Sequence, residues 1–141
     1  MKVLIFGGTT EGRILASRLS DGKHEVTVSV ATDTGASELD GIKGISVVTG
    51  RKDADEMTAL LHNKDICVDA THPYAVEAGR NILKACENSK VRYVRLLRES
   101  LSGPFRYEKA VYVKDAVTAA REALKEDGNI LLATGVKDTL R

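Results

Sequence analysis

Short apolar runs alternate with amphipathic stretches along most of the chain. Lys2–Phe6 carries Val3, Leu4, Ile5 and Phe6 in succession, the continuous run expected of a strand covered on both faces. Thr10–Ser20 then places Gly12, Leu15, Ala16 and Leu19 on one face of a helix, and Asp21-Gly22 marks its stop. Glu25–Val30 reads as a second strand, a looser stretch holds a short helix around 36–40, and Ile45–Thr49 reads as a third strand. Asp53 with Glu56 three residues on has the form of a capping box, opening a helix with Met57, Leu60 and Leu61 on its core side. A fourth strand is expected at 66–70. Pro73 suits the first turn of a helix over 73–88, with Val76, Gly79, Leu83 and Cys86 as its buried stripe. A fifth strand is expected at 92–96, a short strand at 110–113, a helix at 115–126 with Val117, Ala120 and Leu124 inward, and a final strand at 130–134.

This alternation predicts an α/β fold: a Rossmann-like parallel sheet with helices on both faces. The segment 101–107, with Ser102-Gly103-Pro104, breaks the rhythm and reads as a linker. Residues 1–108 are therefore expected to form a cofactor-binding domain and 109–141 the start of a second α/β domain. Leu131-Leu132-Ala133-Thr134-Gly135 has the look of a strand feeding a ligand loop, so the chain reads as truncated, with a second α/β unit missing.

With 141 residues, 43% of them hydrophobic, the chain is long enough for a proper core. A formal net charge of +1 gives no global field that would select nucleic acid or an anionic membrane, so local arginines and backbone must hold any anionic ligand. Met1-Lys2 runs straight into the first strand without a secretory pattern, and no apolar run approaches bilayer length. Cys67 and Cys86 read as small core residues, and without histidines at ligand spacing they build no metal site. A cytoplasmic enzyme or binding domain is expected.

Candidate chemistry gathers at the predicted carboxyl ends of the strands, where ligands of parallel sheets bind. Gly7-Gly8-Thr9-Thr10-Glu11-Gly12 follows the first strand and opens a helix, the arrangement in which glycines allow close approach and the helix end attracts a nucleotide phosphate. Thr9 replaces the middle glycine of the dinucleotide fingerprint, and Arg13-Ile14 after Gly12 excludes a P-loop. A tight strand-to-helix turn without a ligand is the bland alternative. After the second strand come Ser29, Val30, Ala31, Thr32 and Asp33, where dinucleotide folds read the adenosine ribose. Asp33 in that role disfavours a 2′-phosphate by like charge; Ser29 and Thr32 as the contacts leave either cofactor open, and Asp33 as a plain loop cap is equally consistent. Gly50-Arg51 suits an approach to a cofactor with a guanidinium on phosphate or carboxylate, or simply a solvated turn before the Asp53 cap.

The densest polar cluster is Asp69-Ala70-Thr71-His72-Pro73-Tyr74. Pro73 drives His72 into an extended conformation, so the turn is stiff and its hydroxyl and imidazole have restricted directions. These groups suit a nicotinamide end or a substrate carboxylate; capping by Thr71 or His72 is the structural alternative. Arg95 and Arg98 straddle the end of the fifth strand and suit a polycarboxylate, against the ordinary reading of a solvated basic face.

Taken in order, GGTTEG, SVAT, TGRKD, VDATHPYA and RLLRES resemble the precorrin-6A reductase family, including its cobalt-precorrin-6A members, over essentially the whole chain. The resemblance implies two Rossmann-like domains that use NADPH or NADH to reduce one double bond of a corrin precursor, a tetrapyrrole polycarboxylate, on the route to cobalamin. It places cofactor phosphates at Gly7, Gly8, Thr9, Thr10, Glu11 and Gly12, the adenosine ribose near Ser29, Ala31 and Thr32, and Gly50, Arg51 and Asp69 along the cofactor groove. Thr71, His72, Pro73 and Tyr74 then face nicotinamide and macrocycle, with Arg95 and Arg98 toward substrate carboxylates. His72, with Thr71 beside it, becomes a substrate-orienting group and candidate proton source.

Two other classes share part of this pattern. A short-chain dehydrogenase needs Tyr-x-x-x-Lys, and no tyrosine here has Lys four residues on. A non-catalytic NAD(H)- or nucleotide-sensing regulatory domain does not require the Thr71-His72-Pro73 turn or the later arginines.

Overall fold

The opening apolar run becomes β1 (Lys2–Phe6), the central strand of a five-stranded parallel sheet that also contains β2 (Glu25–Val30), β3 (Ile45–Thr49), β4 (Ile66–Asp69) and β5 (Arg92–Arg95). The strand order is β3-β2-β1-β4-β5, so the winding reverses between β1 and β4. A computed structural model describes residues 1–20, 22, 24–97 and 107–131. The chain divides into two compact units, Met1–Ser100 and Leu101–Arg141.

Both faces of the first unit's sheet are covered, which explains why β1 carries no polar alternation. Val3 and Ile5 point with Val26, Val28 and Val68 toward Ala16 of α1 (Thr10–Ser20) and Leu39, beyond the short α2 (Asp33–Ser37). Leu4 and Phe6 point with Cys67 toward Met57 and Leu61 of α3 (Ala54–Leu61) and Ile82, Ala85 and Cys86 of α4 (Val76–Ser89). Asp53 and Glu56 form the expected capping box: the Asp53 carboxylate accepts from the Glu56 amide at 2.8 Å, and Glu56 returns a bond to the Asp53 amide at 2.9 Å.

Two expectations change. The helix expected from 73 begins at Val76, because Pro73 and Tyr74 sit in a turn closed by the Ala75 amide on the His72 carbonyl at 2.9 Å. Its buried face is Ile82, Ala85 and the expected Cys86, whereas Val76 and Leu83 are exposed.

In the second unit, α5 (Ala116–Ala123) is capped by Asp115, whose side chain accepts from the Thr118 amide at 2.8 Å. The expected inward residues Val117 and Leu124 are exposed, and α5 buries none of its residues. Residues 110–113 do not form the expected strand, since no partner strand pairs with them among the described residues. Ile130 and Leu131 are likewise irregular, while the rest of the expected strand at 130–134 and most of the linker at 101–107 lie outside the described residues. Among the described residues no helix is long and apolar enough to cross a membrane.

Candidate functional site

Where the winding reverses, the loops leaving β1 and β4 diverge and open a cleft, the place ligands take in open parallel sheets. This cleft has a volume of about 480 Å³ and brings the glycine loop together with the Thr71–Tyr74 turn, some sixty residues on. Gly8 to Glu11 form one wall, Thr71 to Tyr74 the other, and Glu38 and Leu96 complete it.

Each glycine of the first loop has its own reason. Gly8 has φ +128°, a conformation essentially confined to glycine, and the space beside its Cα is open. A Cβ on Gly7 would press on the Val28 and Val30 methyls at 3.1 and 3.2 Å. A Cβ on Gly12 would sit 2.9 Å from the Ala70 Cβ, so α1 crosses the end of β4 as closely as backbone permits. Thr9, which takes the usual middle-glycine place, caps α1 by accepting from the Gly12 amide at 3.2 Å, and its hydroxyl donates to the Ala70 carbonyl at 2.9 Å.

Beneath the second loop lies a charged cluster. The Asp69 carboxylate is 0% exposed and accepts four hydrogen bonds. One oxygen takes the Thr71 amide at 3.0 Å and the Thr71 hydroxyl at 2.7 Å. The other takes the Tyr93 hydroxyl at 3.0 Å and the Arg95 guanidinium. Arg95 also donates to the Thr71 hydroxyl at 3.1 Å and to the Thr71 carbonyl at 3.3 Å. Burial, with the Asp69 charge next in size, pushes the Tyr93 phenol above its ordinary value.

Asp69, expected along the cofactor groove, is buried beneath the cleft and does not line it; what the structure shows is the set of groups it holds. Arg95 lies at the β5 end as expected, but the donors described are turned onto Asp69 and Thr71. Arg98 lies outside the described residues.

His72 is exposed on the cleft wall, and its Nδ1 accepts from the Tyr74 amide at 3.2 Å. With Nδ1 accepting, Nε2 carries the proton in the neutral ring. Tyr74 is 89% exposed, its ring 4.9 Å from that of His72 and nearly edge-on.

The remaining predicted residues share the sheet edge but not the cleft. Ser29 is buried in β2 and its carbonyl takes the Gly7 amide at 2.8 Å. Thr32 caps α2, accepting from the Gly35 amide at 3.1 Å, with Ala31 exposed before it. Gly50 has φ +101°, a turn requirement in its own right, and Arg51 is exposed beside it. Among the described residues, none of these lines the cleft. Glu38, Leu96 and Tyr93 were missed by sequence reasoning: nothing local marks them, and only the neighbouring of β5 with β4 and of α2 with the glycine loop gives them a part. No group of three metal-ligating side chains occurs among the described residues.

Comparison with known proteins adds an independent finding. The family model for precorrin-6x reductase CbiJ/CobK matches residues 2–140. The chain is 34% identical over 137 residues to a cobalt-precorrin-6A reductase of Priestia megaterium, covering 96% of this chain and 52% of that one. It is 36% identical over 142 residues to the enzyme of the same name from Salmonella typhimurium, again covering 96% of this chain and 52% of the relative. The chain therefore spans about half the length of the curated relatives it matches. Among solved structures, CobK precorrin-6A reductase superposes with a TM-score of 0.64 at 27% identity, covering 74% of this chain and 42% of that chain.

Proposed function

The chain belongs to the precorrin-6x reductase family, and from that premise we propose that it is the cofactor-binding half of an NAD(P)H-dependent reductase. The substrate we assign is precorrin-6A or cobalt-precorrin-6A, with one ring double bond reduced on the way to cobalamin. The observation that carries this reading is the cleft at the winding reversal, where a glycine-only turn and the His72-Pro73 turn face each other. The nucleotide-sensing alternative has no comparable support.

The residues present fit a dinucleotide. Gly8 leaves an open cradle where any side chain would stand, and α1 brings its N-terminal end to the same cleft. In this reading Gly7 to Gly12 hold the pyrophosphate, and Ser29, Ala31, Thr32, Gly50 and Arg51 lie toward the adenosine end. A reduced nicotinamide supplies the hydride, and one proton completes the addition across the double bond. This chain's own task is to hold cofactor and acceptor face to face and to exclude alternatives. Thr71 and Pro73 shape that wall, Tyr74 offers a broad apolar surface to a flat macrocycle, and His72 donates from Nε2 to a substrate carboxylate. The enzyme is read as a cytoplasmic one, acting on a tetrapyrrole polycarboxylate and not on nucleic acid or membrane.

Calorimetric titration with NADH and NADPH tests the first step. One saturable site for at least one of them is expected, weakened by substitution at Gly8. No uptake of either dinucleotide by the folded chain rejects the assignment.

A further inference from the structure

Asp69 is the most demanding residue in the first unit, a carboxylate removed entirely from water at the end of a central strand. An unpaired charge in such a place is strongly unfavourable, and it is tolerated only when paired and fully hydrogen-bonded. The described donors meet that requirement completely: a carboxylate has about four acceptor positions, and four donors fill them. Two of those four come from Thr71, the first residue of the cleft's second wall. The partner cation, Arg95, is 23% exposed along its side chain and grips the same threonine by its hydroxyl and its carbonyl. Every polar group of Thr71 is therefore engaged by one ion pair.

We infer that Asp69 and Arg95, braced by Tyr93, form a clamp that pre-sets the Thr71–Tyr74 wall, with Arg95 a positioning residue and not a contact for substrate carboxylates. The inference rests on the reading of the cleft as the cofactor site and adds how its geometry is held. Three features converge on it. The guanidinium's planar fork serves the carboxylate, the hydroxyl and the carbonyl from two nitrogens in fixed directions, a spread that a single ammonium nitrogen does not reproduce. Gly79 of α4 lies directly over the pair: a Cβ there would stand in ordinary contact with the Arg95 Nη1 at 3.5 Å and the Asp69 carboxylate at 3.6 Å. The Leu96 amide donates to the Asp69 carbonyl at 2.9 Å, so the residue after Arg95, itself a cleft residue, is fixed by the same pair of strands.

The clamp separates from a merely structural core contact by what each substitution loosens. Arg95→Lys keeps the positive charge beside Asp69 but replaces the fork with a point donor. Thr71→Ser keeps the hydroxyl, and Thr71→Val keeps the shape without it. In Arg95→Lys we expect amide hydrogen exchange at Thr71 to accelerate about tenfold or more, while Leu4 and Ile5 in β1 stay within about twofold of the parent chain. NADH or NADPH binding should weaken about tenfold in Arg95→Lys and in Thr71→Val, and Thr71→Ser should restore parent behaviour in both readouts.

Native exchange at Thr71 in Arg95→Lys overturns the clamp, as does equal behaviour of Thr71→Val and Thr71→Ser. So does a loss of affinity for uroporphyrin, a tetrapyrrole octacarboxylate, with Thr71 exchange unchanged, because Arg95 would then be a ligand contact. If the parent chain binds neither dinucleotide, the functional reading fails while the exchange measurements still decide the clamp.

Discussion

The Thr9 hydroxyl joins two loops that lie sixty-one residues apart, donating to the Ala70 carbonyl at 2.9 Å while accepting the Gly12 amide at 3.2 Å. One side chain thereby caps α1 and ties the glycine loop to the end of β4. Thr9→Val should lose both bonds and lower stability by about 1–2 kcal/mol, the range for removing a good N-cap, with Thr9→Ser close to the parent. Urea denaturation of the three proteins measures this.

Gly8 and Gly12 should fail differently. Gly8 faces open space at φ +128°, so Gly8→Ala brings backbone strain of about 1–3 kcal/mol without a clash. Gly12→Ala meets the Ala70 Cβ at 2.9 Å, and overpacking of this kind costs about 1–3 kcal/mol. Gly12→Ala combined with Ala70→Gly should recover much of that loss, whereas Gly8→Ala should gain nothing from Ala70→Gly. Thermal unfolding of the single and double variants checks the distinction.

Cys67 and Cys86 lie together in the core, and burial pushes both thiols above their ordinary value of 9.0. Raised folded values mean stability that is whole below the unfolded thiol's range. Above about pH 9 the unfolded thiols lose protons that the folded ones keep, so stability declines as pH rises through the folded values. The folding equilibrium should fall by up to about tenfold per pH unit for each thiol. Denaturant midpoints from pH 8 to pH 10.5 test this, with Cys86→Ala giving a shallower decline; an identical slope in that variant rejects the thiols as the cause.

Acidic charge sits at both ends of α2: Asp33 in its first turn and Glu38 at its C-cap, on the cleft. In the proposed cofactor pose, a 2′-phosphate would meet this charge. Asp33→Asn should raise affinity for NADPH relative to NADH by about three- to tenfold, and the gain should shrink at high salt. Paired titrations at two ionic strengths measure the ratio.

The sheet and both of its covered faces were legible because strand and helix periods are written directly in the hydrophobic positions, as the uninterrupted run in β1 and the Asp53–Glu56 box show. The two cleft walls were legible for a similar reason, since glycine runs and a proline turn announce backbone geometry locally. The face of α4 was not. Pro73 suggested a helix start, but the turn bonds of His72 delay it to Val76, and the buried face is set by α3 and the sheet against which Ile82, Ala85 and Cys86 pack. In the second unit, the apolar spacing of Val117 and Leu124 foretold a helix correctly but not what it packs on. The Asp69 cluster was illegible, because Tyr93 and Arg95 reach it only through the side-by-side placement of β4 and β5.

The bond from the Tyr74 amide to Nδ1 of His72 carries a consequence for acid–base chemistry. A ring that spends one nitrogen's lone pair on the main chain can lend only the hydrogen on its far side, and a neutral imidazole does not surrender that one to carbon. Nδ1 has no lone pair to spare while the Tyr74 amide occupies it. The ring is thereby suited to orienting a bound group through its other nitrogen, and solvent is the simpler courier of a proton.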